Sequence, residues 1–160
     1  MKKIMIMYGV ISGAIIISSI MLSIVMADAG DSMQMLEWLG YLIMLVALSV
    51  IFVGIKKYRD QELGGVIKFG TAVKLGLGIS VVASIVYVVV WEINLSVTDY
   101  SFIEDYTDQM VEMKKSEGVS GAALEEVVVE MEQLKTKYAN PLFRLPITFS
   151  EIFPVGLLIT

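Results

Sequence analysis

Residues Ile4 to Ala27, IMIMYGVISGAIIISSIMLSIVMA, form 24 consecutive positions between Lys3 and Asp28 without a charge. A helix rises 1.5 Å per residue and a bilayer core is about 30 Å thick, so about 20 apolar residues suffice to cross it. The pattern returns at Leu39 to Ile55 and at Leu75 to Trp91. The solvent of this chain is therefore lipid, and the expected fold is all-α. Composition agrees: the 160 residues are 56% hydrophobic with mean hydropathy +0.75, against roughly 45–50% apolar residues in a soluble domain. A single polytopic membrane domain is expected over residues 1–160.

What is missing narrows the chemistry. The chain has no Cys and no His, which removes the thiolate and imidazole ligands of most zinc, iron-sulfur and haem sites and the usual nucleophile-base pairs. No catalytic residue, cofactor or metal site is expected, and no enzyme. The net charge of -5 and the few basic residues, most of them beside apolar runs, argue against a nucleic-acid partner. Met5 with Met7 and Met33 with Met35 repeat a spacing used for Cu(I), but in a chain with 11 Met the thioethers are better explained as packing. Asp28 with Asp31, and Glu104 with Asp105 and Asp108, read as solvated charge because no loop has metal-ligand spacing. The Gly-rich stretch Gly64 to Gly78 contains no phosphate-loop order. The opening Met1-Lys2-Lys3 and the small residues around Ala27 imitate a signal peptide, yet the apolar run exceeds the 7–15 residues of such a segment and further spans follow, so no cleavage is expected.

Four spans are read, at about 4–27, 38–55, 69–93 and 144–160. Lys2 and Lys3 precede the first, and Lys56, Lys57, Arg59, Lys68 and Lys74 flank the connection between the second and third, whereas Asp28 to Glu37 carries no Lys or Arg. The positive-inside rule places both termini and the Lys56 to Lys68 loop in the cytoplasm. Those five cations are expected to anchor the inner surface to anionic headgroups, at about 1 kcal/mol each. Trp38, Tyr41, Tyr87 and Trp91 are read as outer interfacial anchors, with Tyr8 and Tyr58 as inner ones.

Between spans three and four, about residues 98–140, the sequence predicts an extracytoplasmic helical hairpin. Ser101 with Glu104 resembles a capping box, Phe102, Tyr106, Met110 and Met113 recur at helical spacing, and Gly118 is placed to end the helix. Ser120 can cap a second helix whose stripe is Leu124, Val127, Val128, Met131, Leu134 and Tyr138, with Asn140-Pro141 as its stop. The last span has 17 residues from Arg144 and ends on Leu158-Ile159-Thr160 without a polar or basic flank, as in a truncated chain. An internal repeat at an offset of 61, pairing Tyr8-Gly9 with Phe69-Gly70 and Ser19 with Ser80, is a weak signal.

Gly9 and Gly13 form a G-x-x-x-G, and Ser19 with Ser23 and Ser80 with Ser84 continue small-residue faces on spans one and three. These are read as helix-packing positions within the monomer, and they would also serve a homo-oligomer. Glu151 is the candidate functional residue, since an ionisable group within a span is costly. Two readings stand beside it. Thr148 to Glu151 fits a capping box with Ile147 and Ile152 as its hydrophobic staple, which would put Glu151 near the interface; this reading takes precedence. If instead Asn140 caps and Pro141 starts the helix, Pro146 and Pro154 lie inside it and Glu151 is about 10 residues deep.

Gly54-Ile55-Lys56-Lys57-Tyr58-Arg59-Asp60, Gly64-Gly65 and Phe69-Gly70-Thr71-Ala72-Val73-Lys74-Leu75-Gly76 resemble the bacterial membrane family called domain of unknown function 4199, and Tyr8 to Gly13 is similar to its first span. The resemblance implies a four-span inner-membrane protein, common in Bacteroidetes-type bacteria, with no catalytic residues to carry over and a fourth span that continues to a basic end. The expected role is a non-enzymatic interaction or structural subunit of the cell envelope, with the lipid bilayer and an envelope protein as partners. The alternative is a small transporter or channel subunit using Glu151.

Overall fold

The computed structural model describes the backbone of residues 1–28 and 33–160 and the side chains of residues 1–22 and 40–160. Ser23, Trp38, the Asp28 and Asp31 pair and the Met33 and Met35 pair lie outside the described side chains. Among the described residues every regular element is an α-helix: α1 (Lys2–Asp28), α2 (Met33–Leu48), α3 (Val50–Glu62), α4 (Phe69–Val97), α5 (Ser101–Ser116), α6 (Ala122–Tyr138) and α7 (Pro141–Ile159). Four stretches, Lys2–Leu22, Gly40–Glu62, Phe69–Val97 and Pro141–Ile159, are long and apolar enough to cross a membrane, as expected from the uncharged runs.

The helices run past the apolar limits read from the sequence. Charge does not stop a helix whose backbone can keep its i→i−4 bonds, so α3 continues through Lys56 and Asp60 and ends only before Gly64 and Gly65, both at positive φ. The break between α2 and α3 at Ser49 is slight: its φ and ψ stay in the α region and its hydroxyl donates to the Val46 carbonyl at 2.6 Å.

Contacts divide the chain into two compact units, residues 1–90 with 148–160, and residues 91–147. In the first unit the G-x-x-x-G of α1 lies on α4. A Cβ on Gly9 would come within 2.5 Å of Val82 Cβ and 2.9 Å of the Ile79 carbonyl, and one on Gly13 within 2.8 Å of Val86 Cβ and 2.9 Å of the Ala83 carbonyl. The pairings 9 with 82 and 13 with 86 ascend together, so α1 and α4 are parallel. Ser12 Oγ donates to the Ala47 carbonyl at 3.1 Å and Gly54 faces Tyr8, which makes the second span antiparallel to α1. Gly156 meets Ser80 and Thr160 meets Gly76, so α7 runs antiparallel to α4. Ser80 and Ser84 are buried and donate to carbonyls of their own helix, Gly76 and Ser80, at 3.0 and 2.9 Å, while Ser19 donates to Ile16 at 2.7 Å. The positions equated by the internal repeat have different surroundings: Gly9 is packed tightly, whereas Gly70 has open space around it.

In the second unit α5 and α6 pack on each other, and Lys135 of α6 reaches Asp108 of α5 at 3.3 Å. Gly118 ends α5 as expected: at φ +88 it lets its own N–H donate to Lys115 and that of Val119 donate to Lys114, at 3.0 and 3.1 Å, the two bonds of a Schellman motif. The predicted caps are corrected. Ser101 is the first residue of α5 and follows Tyr100 in the N-cap position, and Gly121 rather than Ser120 precedes α6; neither cap residue makes a side-chain bond. The reason is backbone geometry, since a capping hydroxyl needs an extended residue, whereas Tyr100 and Gly121 enter their helices at positive φ.

If close approach holds the first unit together, Gly9→Ala or Gly13→Ala should destabilise by about 1–3 kcal/mol through overpacking. Gly40→Ala, where nothing lies within 4 Å, should be neutral or slightly stabilising. Denaturant unfolding in detergent micelles measures both.

Candidate functional site

The capping box at Thr148 does not form. Asn140 Oδ1 instead accepts the Leu142 N–H at 3.0 Å, and Pro141 occupies the first helical position, where its missing N–H has no intrahelical partner to lose. The helix thereby starts about two turns before Thr148, and Pro146 and Pro154 fall inside it. Glu151 becomes its eleventh residue, about 15 Å from Pro141 at 1.5 Å per residue. Thr148 is buried and its hydroxyl has no hydrogen-bond partner among the described residues. Glu151 is exposed on the outer side of α7, with Ile152 buried behind it, and the Tyr87 hydroxyl of α4 donates to its Oε2 at 2.8 Å. Tyr87 is thus a buried partner of Glu151 rather than an interfacial anchor, a pairing hidden from the sequence because the two residues are 64 apart and on different spans.

The most developed polar network lies in the second unit. Arg144 is 3% exposed and forms a bidentate pair with Glu92, Nε to Oε1 at 2.6 Å and Nη2 to Oε2 at 2.8 Å. Its Nη1 donates to the Tyr138 carbonyl at 2.8 Å, and the guanidinium lies 5.0 and 5.7 Å from the Tyr100 and Tyr138 ring centroids. Trp91 Nε1 donates to the Tyr138 hydroxyl at 2.9 Å, and the indole meets Phe102 edge-on at 4.8 Å. Trp91 is therefore a buried packing residue as well, not a headgroup anchor, because its N–H finds a protein acceptor. The sequence reading missed this network. Its signal was one acid near the end of span three and one base at the start of span four, an opposite-charge pair at matching depth.

Asp99 and Tyr100 stand at φ 49 and 60, and the Tyr100 N–H closes α4 onto the Leu95 carbonyl at 2.8 Å. They border a cleft of about 490 Å³ that Glu104, Lys135, Tyr138 and Arg144 also line. The cations beside it are already engaged: Arg144 with Glu92, and Lys135 with Asp108 and Glu132, bonds that hold the Lys135 ammonium above its usual range, Glu132 contributing most. Among the described residues no group of three or more His, Cys, Asp or Glu could hold a metal. The inner cations are not gathered into one site. Arg59 pairs with Asp60 at 2.7 Å and Lys57 lies 5.9 Å from the Tyr8 ring centroid, while Lys56, Lys68 and Lys74 are exposed.

Among the described residues these features define an all-α chain with four helices fit to span a membrane, a clamped ion pair in one unit and a carboxyl with a tyrosine partner about 15 Å along the last helix. The family model described as protein of unknown function (DUF4199) matches residues 7–160, and the chain belongs to that family. No curated protein and no solved structure matches it.

Removing one partner of a buried pair strands the other, so Arg144→Ala should cost about 3–5 kcal/mol, read as lost thermal stability in detergent. Thr148→Val, which replaces an unsatisfied buried hydroxyl by a methyl, should instead stabilise by about 1 kcal/mol.

Proposed function

We propose that this chain is a non-enzymatic interaction or structural subunit of the bacterial cytoplasmic membrane. In this reading both termini and the Lys56 to Lys68 loop are cytoplasmic, and α5 and α6 form an extracytoplasmic hairpin that docks an envelope protein. The observation that carries it is the state of α6, which has no fully buried residue. Its stripe of Leu124, Val127, Met131, Leu134 and Tyr138 is half-covered, while Val128 and Val129 remain exposed, Val129 by 54%, among Glu125, Glu126, Glu130 and Glu132. An apolar strip within an acidic face fits a partner segment that is apolar with basic flanks, because rim charges set orientation and encounter while the apolar centre is desolvated.

The test uses the full chain in native membranes, with a photo-crosslinking side chain at Gln133. Val128→Asp combined with Val129→Asp leaves exposed positions exposed, so folding should be unchanged within about 0.5 kcal/mol. Crosslinking to the partner should fall by at least about tenfold, the effect of 1.4 kcal/mol or more. An unchanged set of crosslinks would reject the docking role.

A second reading, a small transporter or channel subunit, is favoured by Glu151, an ionisable residue about ten positions inside α7, since carboxylates within spans mark substrate and ion pathways. Flux into proteoliposomes should be lost in Glu151→Gln; no flux in either protein removes this reading.

A further inference from the structure

Glu151 is set in surroundings that narrow what can neutralise it. Its Cα lies about 15 Å along α7 from Pro141, well inside the apolar length of that helix, and its side chain is exposed beside Ser150 and Pro154, which are also exposed. A carboxylate at that depth costs about 2.5–3.5 kcal/mol on insertion scales. The Tyr87 hydroxyl supplies one hydrogen bond, to Oε2. No ion pair to Glu151 is present among the described residues. The other titratable residue of α7 is Arg144, which is committed to Glu92. On α4, the helix packed against this stretch of α7, Tyr87 is the facing titratable group; Glu92 is held by Arg144, and Lys74 lies 13 positions before Tyr87, about 20 Å along the helix. With no cation in reach among the described residues, a proton is the species that removes the charge.

We propose that Glu151 is a proton-binding site within the membrane. The carboxylate takes a proton on Oε1, the oxygen not held by Tyr87, to become a carboxylic acid, and returns it as the carboxylate re-forms; Tyr87 donates to Oε2 in both forms and fixes the group's orientation. Tyr87 is a positioning residue. The site is independent of the docking role of α6. It names the substrate of the transport reading without requiring that transport occur.

The experiment is carbodiimide labelling of the full chain in liposomes, read by peptide mass spectrometry. Dicyclohexylcarbodiimide partitions into hydrocarbon, and the O–H of a protonated carboxyl adds across one of its C=N bonds, giving an O-acylisourea that rearranges to an N-acylurea without loss of atoms. Glu151 should be labelled, with a rate that falls about tenfold per pH unit on the alkaline limb, as the protonated fraction does. A water-soluble carbodiimide should label it at least about tenfold more slowly, since a charged reagent is excluded from hydrocarbon. Glu151→Gln should abolish the label, and Tyr87→Phe should retain it with a displaced pH midpoint. Absence of label at every pH, or equal labelling by the water-soluble reagent, overturns the site; an unmoved midpoint in Tyr87→Phe overturns the role given to Tyr87. Labelling without flux would leave the proton site standing and remove only the transport reading.

Discussion

In hydrocarbon, one apolar helix surface gains nothing by hiding against another, because the lipid tails it displaces are as apolar as Leu. Spans must therefore be held by contact itself, and contact is closest where side chains are smallest. Gly9 and Gly13 lie directly over the Ile79 and Ala83 carbonyls of α4, Gly156 faces Ser80, and Ser12 bonds Ala47. These approaches set the parallel run of α1 with α4 and the antiparallel run of α7. Through that last relation they also bring Glu151 opposite Tyr87. The position of the carboxyl is thus a consequence of packing at Gly156, five residues further along α7.

The same solvent governs the polar groups. Arg144 is buried and cannot be hydrated freely, and it is surrounded by Glu92, two backbone carbonyls and two aromatic rings. Taken separately, a buried ion pair contributes little net stability, since desolvation offsets most of its Coulomb energy. Its value here is positional: the guanidinium ties residues of α4, α6 and the start of α7 into one fixed arrangement. Glu151 is a contrast, a carboxyl that among the described residues has the Tyr87 hydrogen bond and no counter-ion. Two acids on neighbouring spans therefore have different roles, decided by whether a base faces them.

Much of this architecture was legible in the chain. Uncharged runs marked the spans, Gly118 marked the end of α5, and the residues around Gly54 to Gly76 carried the family resemblance. Errors came where two local readings competed. Thr148 to Glu151 has the letters of a capping box, yet Asn140-Pro141 is a better helix start, because Asn140 can accept the Leu142 N–H and Pro141 has no donor to leave unpaired. Once that cap forms, the helix has no reason to begin again at Thr148. Tyr87 and Trp91 were misread for a related reason: an aromatic near a span's end looks like a headgroup anchor until its hydroxyl or N–H is seen to meet a protein partner.

By itself the sequence determined the solvent, the number of candidate spans and the all-α class, since these depend on local sums of hydrophobicity and on periodicity along one helix. It also excluded cysteine and histidine chemistry by their absence. Only the tertiary structure decided which polar groups meet. Glu92 with Arg144 and Glu151 with Tyr87 are separated by 52 and 64 residues, and their encounter depends on the relative rotation and depth of two helices. That register is set by side-chain contact between them, which no pattern within either helix contains.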